Sequence, residues 1–357
     1  MAEEKSAVAD VAKDTAKDAT KRATIWDVAE LAGVSKQTVS RVVNESERVA
    51  PETRRTVQEA IAKLGYRPNA LARQLIRGRS FTLGLVGINR NYLISEASIG
   101  ISGQAQTLGY SILLKQMFGH GTEEIEPMLH SLLDHQVDGI LWMSPEIGTY
   151  HPWLDNSLLA GVSVPTVFMN GRPREGTVVV GFDNAEGGRV ATQHLIDRGR
   201  QHIGHISGPL NWWVSQQRLE GWKSALQGAG LAAGNKQIVE GTWLPESGAT
   251  AMASLLQDNP KLDAVFVAGD RMALGAMKEI RRQGLRIPQD IAIVGFDNST
   301  ESAYLEPSLT TVAQDKKRLG EVAISTLVQC VEARLGDNPS PNSNTILPLE
   351  LIVREST

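Results

Sequence analysis

The sequence predicts two kinds of structure in one chain: a small all-α headpiece with a helix-turn-helix, then a two-lobed α/β core of doubly wound parallel sheets. The first observation is a series of helix caps and helical apolar stripes between residues 24 and 65. The second is a change at Phe81, after which apolar strands alternate with helical stretches. The third is length, because the roughly 270 residues after this change exceed what one hydrophobic core comfortably holds.

The composition indicates a soluble globular protein. Hydrophobic residues make up 41% of the 357 residues and charged residues 21%, an ordinary balance for this class. Cys330 is the single cysteine, which excludes an internal disulfide and fits a reducing cytosol. No apolar run reaches the roughly 18 residues of a membrane span, and the N-terminus has no signal-peptide core. We therefore expect a cytoplasmic protein without a membrane partner.

Charge is unevenly distributed along the chain. Residues 22–80 hold 11 lysines and arginines against 6 acidic residues, so this segment has a net charge of +5. Because the whole chain has a net charge of −4, the remaining residues have a net charge of −9. A small basic segment on a large acidic body indicates that only this segment meets a polyanion. Residues 1–22 are rich in Ala, Lys and Asp and lack aromatic residues, which predicts a disordered or weakly helical tail.

The headpiece is expected over residues 23–68, starting with two helices. Thr24 opens a capping-box pattern for the first helix, and Gly33 ends it. Ser35 caps the second helix, which runs to about Val43.

A third helix and a linker complete the basic segment. Pro51 occupies the first turn of "PETRRTVQEAIAKL", and Gly65 closes that helix. Residues 69–80 contain the apolar-basic stretch "ALARQLIRGRS", which predicts a linker that is helical only when bound.

Two helices joined by a glycine-containing three-residue turn, with a third packed across them, form a helix-turn-helix. In this motif the N-terminal residues of the second helix reach base edges, and here these are Lys36, Gln37 and, one turn later, Arg41. Lys and Arg pair with guanine acceptors, and Gln pairs with adenine. The short side chains able to hold phosphates are Thr24, Ser35, Thr38, Ser40, Asn44 and Thr53.

A capped pair of surface helices without a DNA role is the alternative interpretation. The linker favours DNA binding, because Leu75 lies among Arg73, Arg77 and Arg79, and a lone apolar side chain among arginines can wedge into a minor groove. A simple interdomain contact is the competing interpretation of Leu75.

Nine strands are predicted in the core. They cover 82–88, 110–116, 138–144, 165–170, 177–183, 202–208, 237–243, 264–270 and 291–297. In open α/β sheets ligands bind beyond the carboxyl ends of the strands. Residues just after strands, or on the helix that follows one, are therefore candidate ligand contacts: Asn170, Arg218, Trp243, Asp297 and Gln314.

Several residues at these ends have competing interpretations. Asp270 directly precedes a helix, so a cap is favoured over a ligand contact. Trp212 and Trp213 are adjacent and cannot both point inward on a helix, so one of them is expected to line a cleft or an interface. Trp243 could belong to the core, but its loop-like flanks favour an exposed face.

Four stretches carry a resemblance to a known family. They are "TIWDVAELAGVSKQTVSRVVN", "LGYRPNALARQL", "DRMALGAMKEIRRQGLRIPQDIAIVGFDN" and "PSLTTVAQD". From about residue 24 to 353 the chain closely resembles the LacI/GalR family of bacterial repressors. The resemblance implies a dimeric repressor on a near-palindromic operator, with a periplasmic-binding-protein-like core that binds an effector between its lobes.

The resemblance also assigns residue roles. It implies that Lys36, Gln37 and Arg41 read bases and that Leu75 is the hinge-helix wedge, and it places Tyr66 and Asn69 in a DNA-contacting motif. Arg218 matches the arginine that holds sugar hydroxyls or carboxylates. The other pocket positions are Leu93, Ile94, Asn170, Trp212, Trp243, Asp297 and Gln314. Of these, Leu93 and Ile94 are expected to form apolar walls. The lobes are expected at 81–182 with 314–341 and at 183–313 with 342–355.

The chain departs from the family pattern at two pocket positions. Gly269 stands where some sugar-responsive relatives have Asn, and Asn170 where some have Asp, which weakens any assignment of a particular sugar. Several tryptophans near one cleft suit a pyranose, because its C–H face stacks on an indole while polar side chains meet its hydroxyls. A mono-, di- or oligosaccharide or a glycoside is therefore favoured over a nucleobase or a sugar phosphate.

Assembly and activity are the remaining expectations. The chain stops at "LIVREST" without a leucine-rich tail, which predicts a homodimer whose two-fold axis matches a two-fold operator. The sequence contains no phosphate-binding loop, nucleophile elbow or zinc spacing, so no enzymatic activity, metal or cofactor is expected. His202 and His205 are three apart on a strand and point to opposite faces. A sugar receptor without DNA binding is the alternative from another class.

Overall fold

The computed structural model of the protein describes residues 23–43, 48–66, 78–88, 92–117, 125–143, 161–336 and 344–357. The chain divides into two units, the first ending at Ser80 and the second running from Phe81 to Thr357. The predicted tail at 1–22 and most of the predicted linker lie outside the described residues.

Three helices form the first unit. They are α1 (Ile25–Ala32), α2 (Lys36–Val43) and α3 (Pro51–Leu64). Thr24 and Asp27 make the capping box of α1, and Gly33 and Gly65 end α1 and α3 in the left-handed conformation that glycine adopts without strain. Each helix gives two buried side chains to one small core: Val28, Ala29, Val39, Val42, Val57 and Ala60.

The second unit alternates strands and helices. In chain order they are β1 (Thr82–Ile88), α4 (Tyr92–Thr107), β2 (Ser111–Met117), α5 (Ile125–Asp134), β3 (Gly139–Trp142), β4 (Thr166–Met169), β5 (Val178–Phe182), α6 (Asn184–Asp197), β6 (Ile203–Ser207), α7 (Trp213–Gly228), β7 (Ile238–Glu240), α8 (Pro245–Asp258), β8 (Ala264–Val267), α9 (Asp270–Arg282), β9 (Ala292–Asp297), β10 (Thr310–Ala313), α10 (Lys316–Leu335), β11 (Thr345–Leu347) and β12 (Glu350–Ile352). This alternation confirms the predicted α/β class.

The strands form two six-stranded sheets, one in each lobe. The first has the order β11-β5-β4-β3-β1-β2, and all its neighbouring strands are parallel. The second has the order β12-β10-β9-β8-β6-β7 and is parallel except for the pair β10–β12. Because the carboxyl ends of parallel strands share one edge of a sheet, the residues that follow the strands are brought together there.

Helices cover both faces of each sheet, because successive strand side chains point to opposite sides. In β8, Ala264 and Phe266 pack with residues of α6 and α7, whereas Val265 and Val267 pack with residues of α8 and α9. The first sheet is covered in the same way, by α4 and α10 on one face and by α5 on the other.

One predicted lobe boundary is wrong. Residues 342–355 were expected in the second lobe, but β11 pairs with β5 and so belongs to the first sheet. The chain enters the second lobe between Leu347 and Glu350, where β12 pairs with β10. Strands β10, β11 and β12 were also absent from the predicted set.

Candidate functional sites in the headpiece and in the cleft of the core

The turn between α1 and α2 determines where the second helix begins. Gly33 has a φ of 62°, and its N–H donates to carbonyls at the end of α1. The hydroxyl of Ser35 accepts a hydrogen bond from the backbone N–H of Thr38 at 3.1 Å, which caps α2. Lys36 and Gln37 therefore occupy the first turn of α2.

Helix α2 has one face in the core and one face outward. Val39 and Val42 are buried in the headpiece core, whereas Lys36, Gln37 and Arg41 are exposed. The three candidate base readers are thus presented on one short helix that is fixed from behind by its valines. This is the arrangement by which a recognition helix enters a major groove.

Several of the proposed phosphate contacts already have partners within the headpiece. The Thr24 hydroxyl donates to Asp27 Oδ2 at 2.8 Å, and the hydroxyls of Ser35 and Thr38 lie 2.9 Å apart. The hydroxyls of Thr24 and Ser35 also accept from the backbone N–H groups of Asp27 and Thr38, so these caps occupy both the hydroxyls and those N–H groups. Ser40, Thr53 and Tyr66 are half-buried. The remaining predicted contacts, Asn44, Asn69 and Leu75, lie outside the described residues.

Trp26 is not among the site residues predicted from the sequence. Its side chain is 65% exposed on α1, and Lys36 Nζ lies 4.9 Å from its ring centroid. Both residues line a surface groove between α1 and α2 together with Ser35, Gln37 and Ser40. A cation over an indole face is held electrostatically, so Trp26 helps to orient Lys36. The sequence feature that could have identified Trp26 is an aromatic residue that lies outside the apolar stripe of α1.

In the core, the strand ends of the second sheet surround the guanidinium of Arg218. This residue lies on α7 and is only 4% exposed. Its Nε donates to Asn184 Oδ1 at 2.9 Å, and Nη1 donates to the carbonyl oxygen of Ala268. Its Cζ lies 3.7 Å from the centroid of the Phe296 ring. Nη2 lies 3.9 Å from Asp297 Oδ1, which makes a long ion pair.

Burial and nearby carboxylates act on Arg218 in opposite directions. Burial lowers the pKa of its guanidinium, whereas the charges of Asp297 and Asp270 raise that pKa. An arginine remains protonated in proteins, so the second lobe holds a fixed cation beside Asp297, whose side chain is 22% exposed. Asn184 was absent from the predicted site, since it lies 34 residues from Arg218 and no local pattern links the two.

The predicted capping role of Asp270 is wrong. Its carboxylate accepts hydrogen bonds from the backbone N–H of Ser299 and from the Thr311 hydroxyl, each at 2.7 Å. Gly269 occupies the N-cap of α9, and no side chain caps that helix. Asp270 therefore ties the start of α9 to Ser299, after β9, and to Thr311 in β10. Burial, and then the charge of Asp297, raise the pKa of Asp270 to about 7.

Two indole side chains lie together beside Arg218 and Asp297. The rings of Trp212 and Trp243 are 5.8 Å apart between centroids and tilted by 56°. The Trp243 ring lies against the backbone of Gly208, where a Cβ atom would come within 2.1 Å of Cζ2. Arg218 Cζ is 5.7 Å from the Trp243 ring centroid. These distances place Trp212, Trp243, Arg218 and Asp297 in one site.

Three of the predicted ligand contacts have strained backbone. Asn170, Trp243 and Asp297 adopt φ angles of 53°, 68° and 109°, a region that is uncommon for residues other than glycine. Such conformations persist where the surroundings fix them, and they cluster at functional sites. The conformation of Asn170 is held by a hydrogen bond in which its Oδ1 accepts from the backbone N–H of Phe182 at 3.2 Å.

Gln314 differs from the other site residues in its hydrogen bonding. It follows β10, whose last residue Ala313 is paired with Asp297. The residue is 5% exposed, and neither its amide nitrogen nor its amide oxygen has a partner within the described part of the chain. A buried amide without partners is costly, so this side chain is suited to a polar ligand or water.

The two lobes also touch beside the site. Arg172, in the segment after β4, lies with its Cζ 4.4 Å from the ring centroid of Trp213, at the start of α7. This cation–π contact brings the strand end that carries Asn170 towards the segment that carries Trp212. Leu93 and Ile94, the predicted apolar walls, lie in the first turn of α4, and their side chains are outside what the structure describes.

Metal and membrane roles receive no support from the residues that the structure describes. These residues contain no group of three side chains placed to hold a metal ion and no helix long and apolar enough to cross a bilayer. His205 is buried and stacks on Phe266 with 4.8 Å between ring centroids, whereas His202 is exposed. Burial lowers the pKa of His205 to about 3, so this histidine is neutral.

Comparison with known proteins identifies the family. Residues 24–69 match the bacterial regulatory proteins of the lacI family, and residues 192–357 match a periplasmic binding protein-like domain. The transcriptional repressor PurR of Glaesserella parasuis is 36% identical over 340 residues, which cover 94% of this chain and 98% of the relative. The chain belongs to the LacI family.

Solved structures of two LacI-family regulators match nearly the whole chain. One is the transcriptional regulator CelR in complex with cellobiose, at 34% identity and a TM-score of 0.70, covering 94% of this chain and all of the other. The second is the lac repressor dimer bound to operator and the anti-inducer ONPF, at 32% identity and a TM-score of 0.83, covering 94% and 99%. This LacI-family protein is a DNA-binding transcriptional repressor, so the alternative of a sugar receptor without DNA binding is set aside.

The raised pKa of Asp270 predicts how stability depends on pH. In the unfolded chain this carboxyl ionises near 3.8, but in the folded protein near 7, so the free energy of unfolding should fall as the pH rises between these values. From pH 5 to pH 8 we expect a decrease of about 1 to 4 kcal/mol, measured by urea unfolding. The charges of Asp297, Lys316 and Arg218, which face Asp270, determine the size of this decrease.

The Asp270→Asn variant should lose most of this decrease, because an amide does not ionise. Glu186→Gln, which removes an exposed carboxylate paired with Arg189, should keep it. Equal pH dependence in the wild type and in Asp270→Asn would show that Asp270 ionises normally.

Proposed function

We propose that the protein binds a palindromic operator as a homodimer through α2, and that a small saccharide in the cleft of the core changes the strength of that binding. The observation that carries the proposal is the cluster of Arg218, Asp297 and Trp243, with the Arg218 cation 3.9 Å from Asp297 and 5.7 Å from the indole. The lac repressor dimer with operator and the CelR–cellobiose complex support it by similarity.

The chemistry of the cluster suits a sugar. A hydroxyl both donates and accepts, so neighbouring hydroxyls can donate to the Asp297 carboxylate and accept from the Arg218 guanidinium. Gln314 adds an amide that can do both. The indole of Trp243 supplies an apolar face for ring C–H groups. A saccharide can satisfy all of these groups at once.

Two other effector classes fit the same cluster less well. A sugar phosphate would bring a dianion towards Asp297 and Asp270, while Arg218, the cation beside Asp297, is already bonded to Asn184 and Ala268. A nucleobase can stack on an indole but has fewer hydroxyl-type donors for Asp297. Because a PurR repressor is 36% identical to this chain, the test must also include a purine base.

The operator contacts are proposed for the exposed face of α2. Lys36, Gln37 and Arg41 are the base readers, and a homodimer presents two such helices to two half-sites. Affinity is expected to fall steeply with salt concentration, because each phosphate contact releases counterions.

Replacing Arg41 with Ala should weaken operator binding by about 1–3 kcal/mol and relax base preference at one position in each half-site. The measurement is a binding titration against the operator and a set of single-base variants at fixed salt. Lys63→Ala is the control, since it removes one exposed positive charge from the last turn of α3. Unchanged discrimination in Arg41→Ala would remove this residue from the base readers.

A thermal-shift screen of the full chain should find a saccharide among glucose, galactose, ribose and cellobiose that raises the melting temperature, because binding to the native state stabilises it. Arg218→Ala should lose this shift and the effector response while keeping operator affinity. Arg189→Ala, which removes an exposed arginine from the neighbouring helix, should keep the shift. A shift with hypoxanthine or guanine alone, or a normal response in Arg218→Ala, would contradict the proposed effector site.

A further inference from the structure

The side chain of Trp26 lies outside the core that the described helices of the headpiece form. It belongs to the first turn of α1 and is 65% exposed, whereas the core receives other side chains of the same helix, Val28 and Ala29. A buried indole contributes a large apolar area to stability, and an indole exposed to this extent does not. Core packing therefore does not explain a tryptophan at this position.

The contact of Trp26 that the structure describes is with a candidate base reader. Lys36 Nζ lies 4.9 Å from the centroid of the Trp26 ring, within the roughly 6 Å over which a cation is attracted to an aromatic face. Both residues border the groove between α1 and α2, and Gln37 and Ser40 border it too. The indole therefore lies beside the end of α2 that is expected to enter the major groove.

The backbone on both sides of this contact is fixed by helix caps. The capping box at Thr24 fixes the first turn of α1, and the hydroxyl of Ser35 caps the first turn of α2. The tryptophan side chain rotates about two bonds, whereas lysine carries its charge on a flexible four-carbon stem. The indole of Trp26 is therefore a rigid support for the more flexible side chain of Lys36.

The support changes what the ammonium of Lys36 can recognise. An unsupported lysine acts as a mobile point charge, which any phosphate attracts, and phosphate contacts carry no sequence information. An ammonium held over a ring remains positively charged and can direct a free N–H towards one location. In the major groove the matching partner is guanine, whose O6 and N7 are both acceptors.

We propose that Trp26 determines operator specificity by positioning Lys36 to donate to one guanine in each half-site. The proposal rests on the proposed function that α2 reads the operator. Trp26 acts through Lys36 and requires no DNA contact of its own. Its effect is therefore expected at one base pair of each half-site and not on the affinity for DNA in general.

The test is a double-mutant cycle on the full chain. The probes are the duplex that the wild type selects from a random-sequence library, the single-base variants of its half-sites, and a duplex of unrelated sequence. The variants are Trp26→Phe, Trp26→Leu, Lys36→Met and the double variant with Trp26→Leu and Lys36→Met. The control is Leu31→Ala, which removes another exposed apolar side chain of α1. Dissociation constants at one salt concentration and melting temperatures are measured for each protein.

Lys36→Met should lose discrimination at one base pair of each half-site, which identifies the base that Lys36 reads. Trp26→Leu should lose about 2- to 30-fold of the discrimination at that same base pair, and Trp26→Phe should lose less, because phenylalanine binds a cation more weakly than tryptophan does. The double variant should discriminate no worse than Lys36→Met.

Other properties should stay at their wild-type values. Trp26→Leu retains the charge of Lys36, so its affinity for the unrelated duplex should remain within twofold. Its melting temperature should also remain unchanged, because the indole is exposed. Leu31→Ala should match the wild type in base preference.

Four results would overturn the proposal. Additive losses in the double variant would show that Trp26 contacts DNA independently of Lys36. An equal loss of discrimination at every base pair, or a lower melting temperature in Trp26→Phe, would show a structural role for the indole. Unchanged base preference in Lys36→Met would leave Trp26 with no reader to position, while operator reading by the rest of α2 would stand. A wild type that selects no sequence at all would overturn the proposed function itself.

Discussion

The cleft of the second lobe depends on the buried positive charge of Arg218. The Arg218 guanidinium is removed from water, which is costly unless the charge is paired and hydrogen-bonded. Its four partners come from three elements: Asn184 at the start of α6, the carbonyl of Ala268 after β8, and Phe296 and Asp297 at the end of β9. Removing any one of these partners leaves a charge without full compensation. The strand ends of the second lobe are thereby held in one arrangement.

Close helix packing fixes where this charge lies. Helices α6 and α7 approach each other at Gly188 and Gly221, where Cβ atoms would come within 2.3 Å of the Arg218 carbonyl oxygen and 2.0 Å of the Ala185 carbonyl oxygen. The two glycines let the backbones meet, and this contact places Arg218 over Phe296. The packing of α6 against α7 therefore determines the geometry of the site.

The sequence predicts the parts of the molecule that local chemistry determines. The capping box at Thr24, the turn at Gly33 and the strand ends at Trp243 and Asp297 all follow from patterns within a few residues. Contacts between distant segments do not, which is why Asn184 and the bonds of Asp270 to Ser299 and Thr311 were missed. The same reason applies to β11, since its three residues join the first sheet only through pairing with β5.

The proposed regulation requires that the cleft and the headpiece are energetically coupled, and such a coupling must be reciprocal. The most direct measurement is a linkage cycle: operator affinity with and without saturating sugar, and sugar affinity with and without saturating operator DNA, at one salt concentration. If the two sites are coupled, both affinities change by the same factor, about 5- to 150-fold. Sugar and operator affinities that are each independent of the other ligand would contradict it.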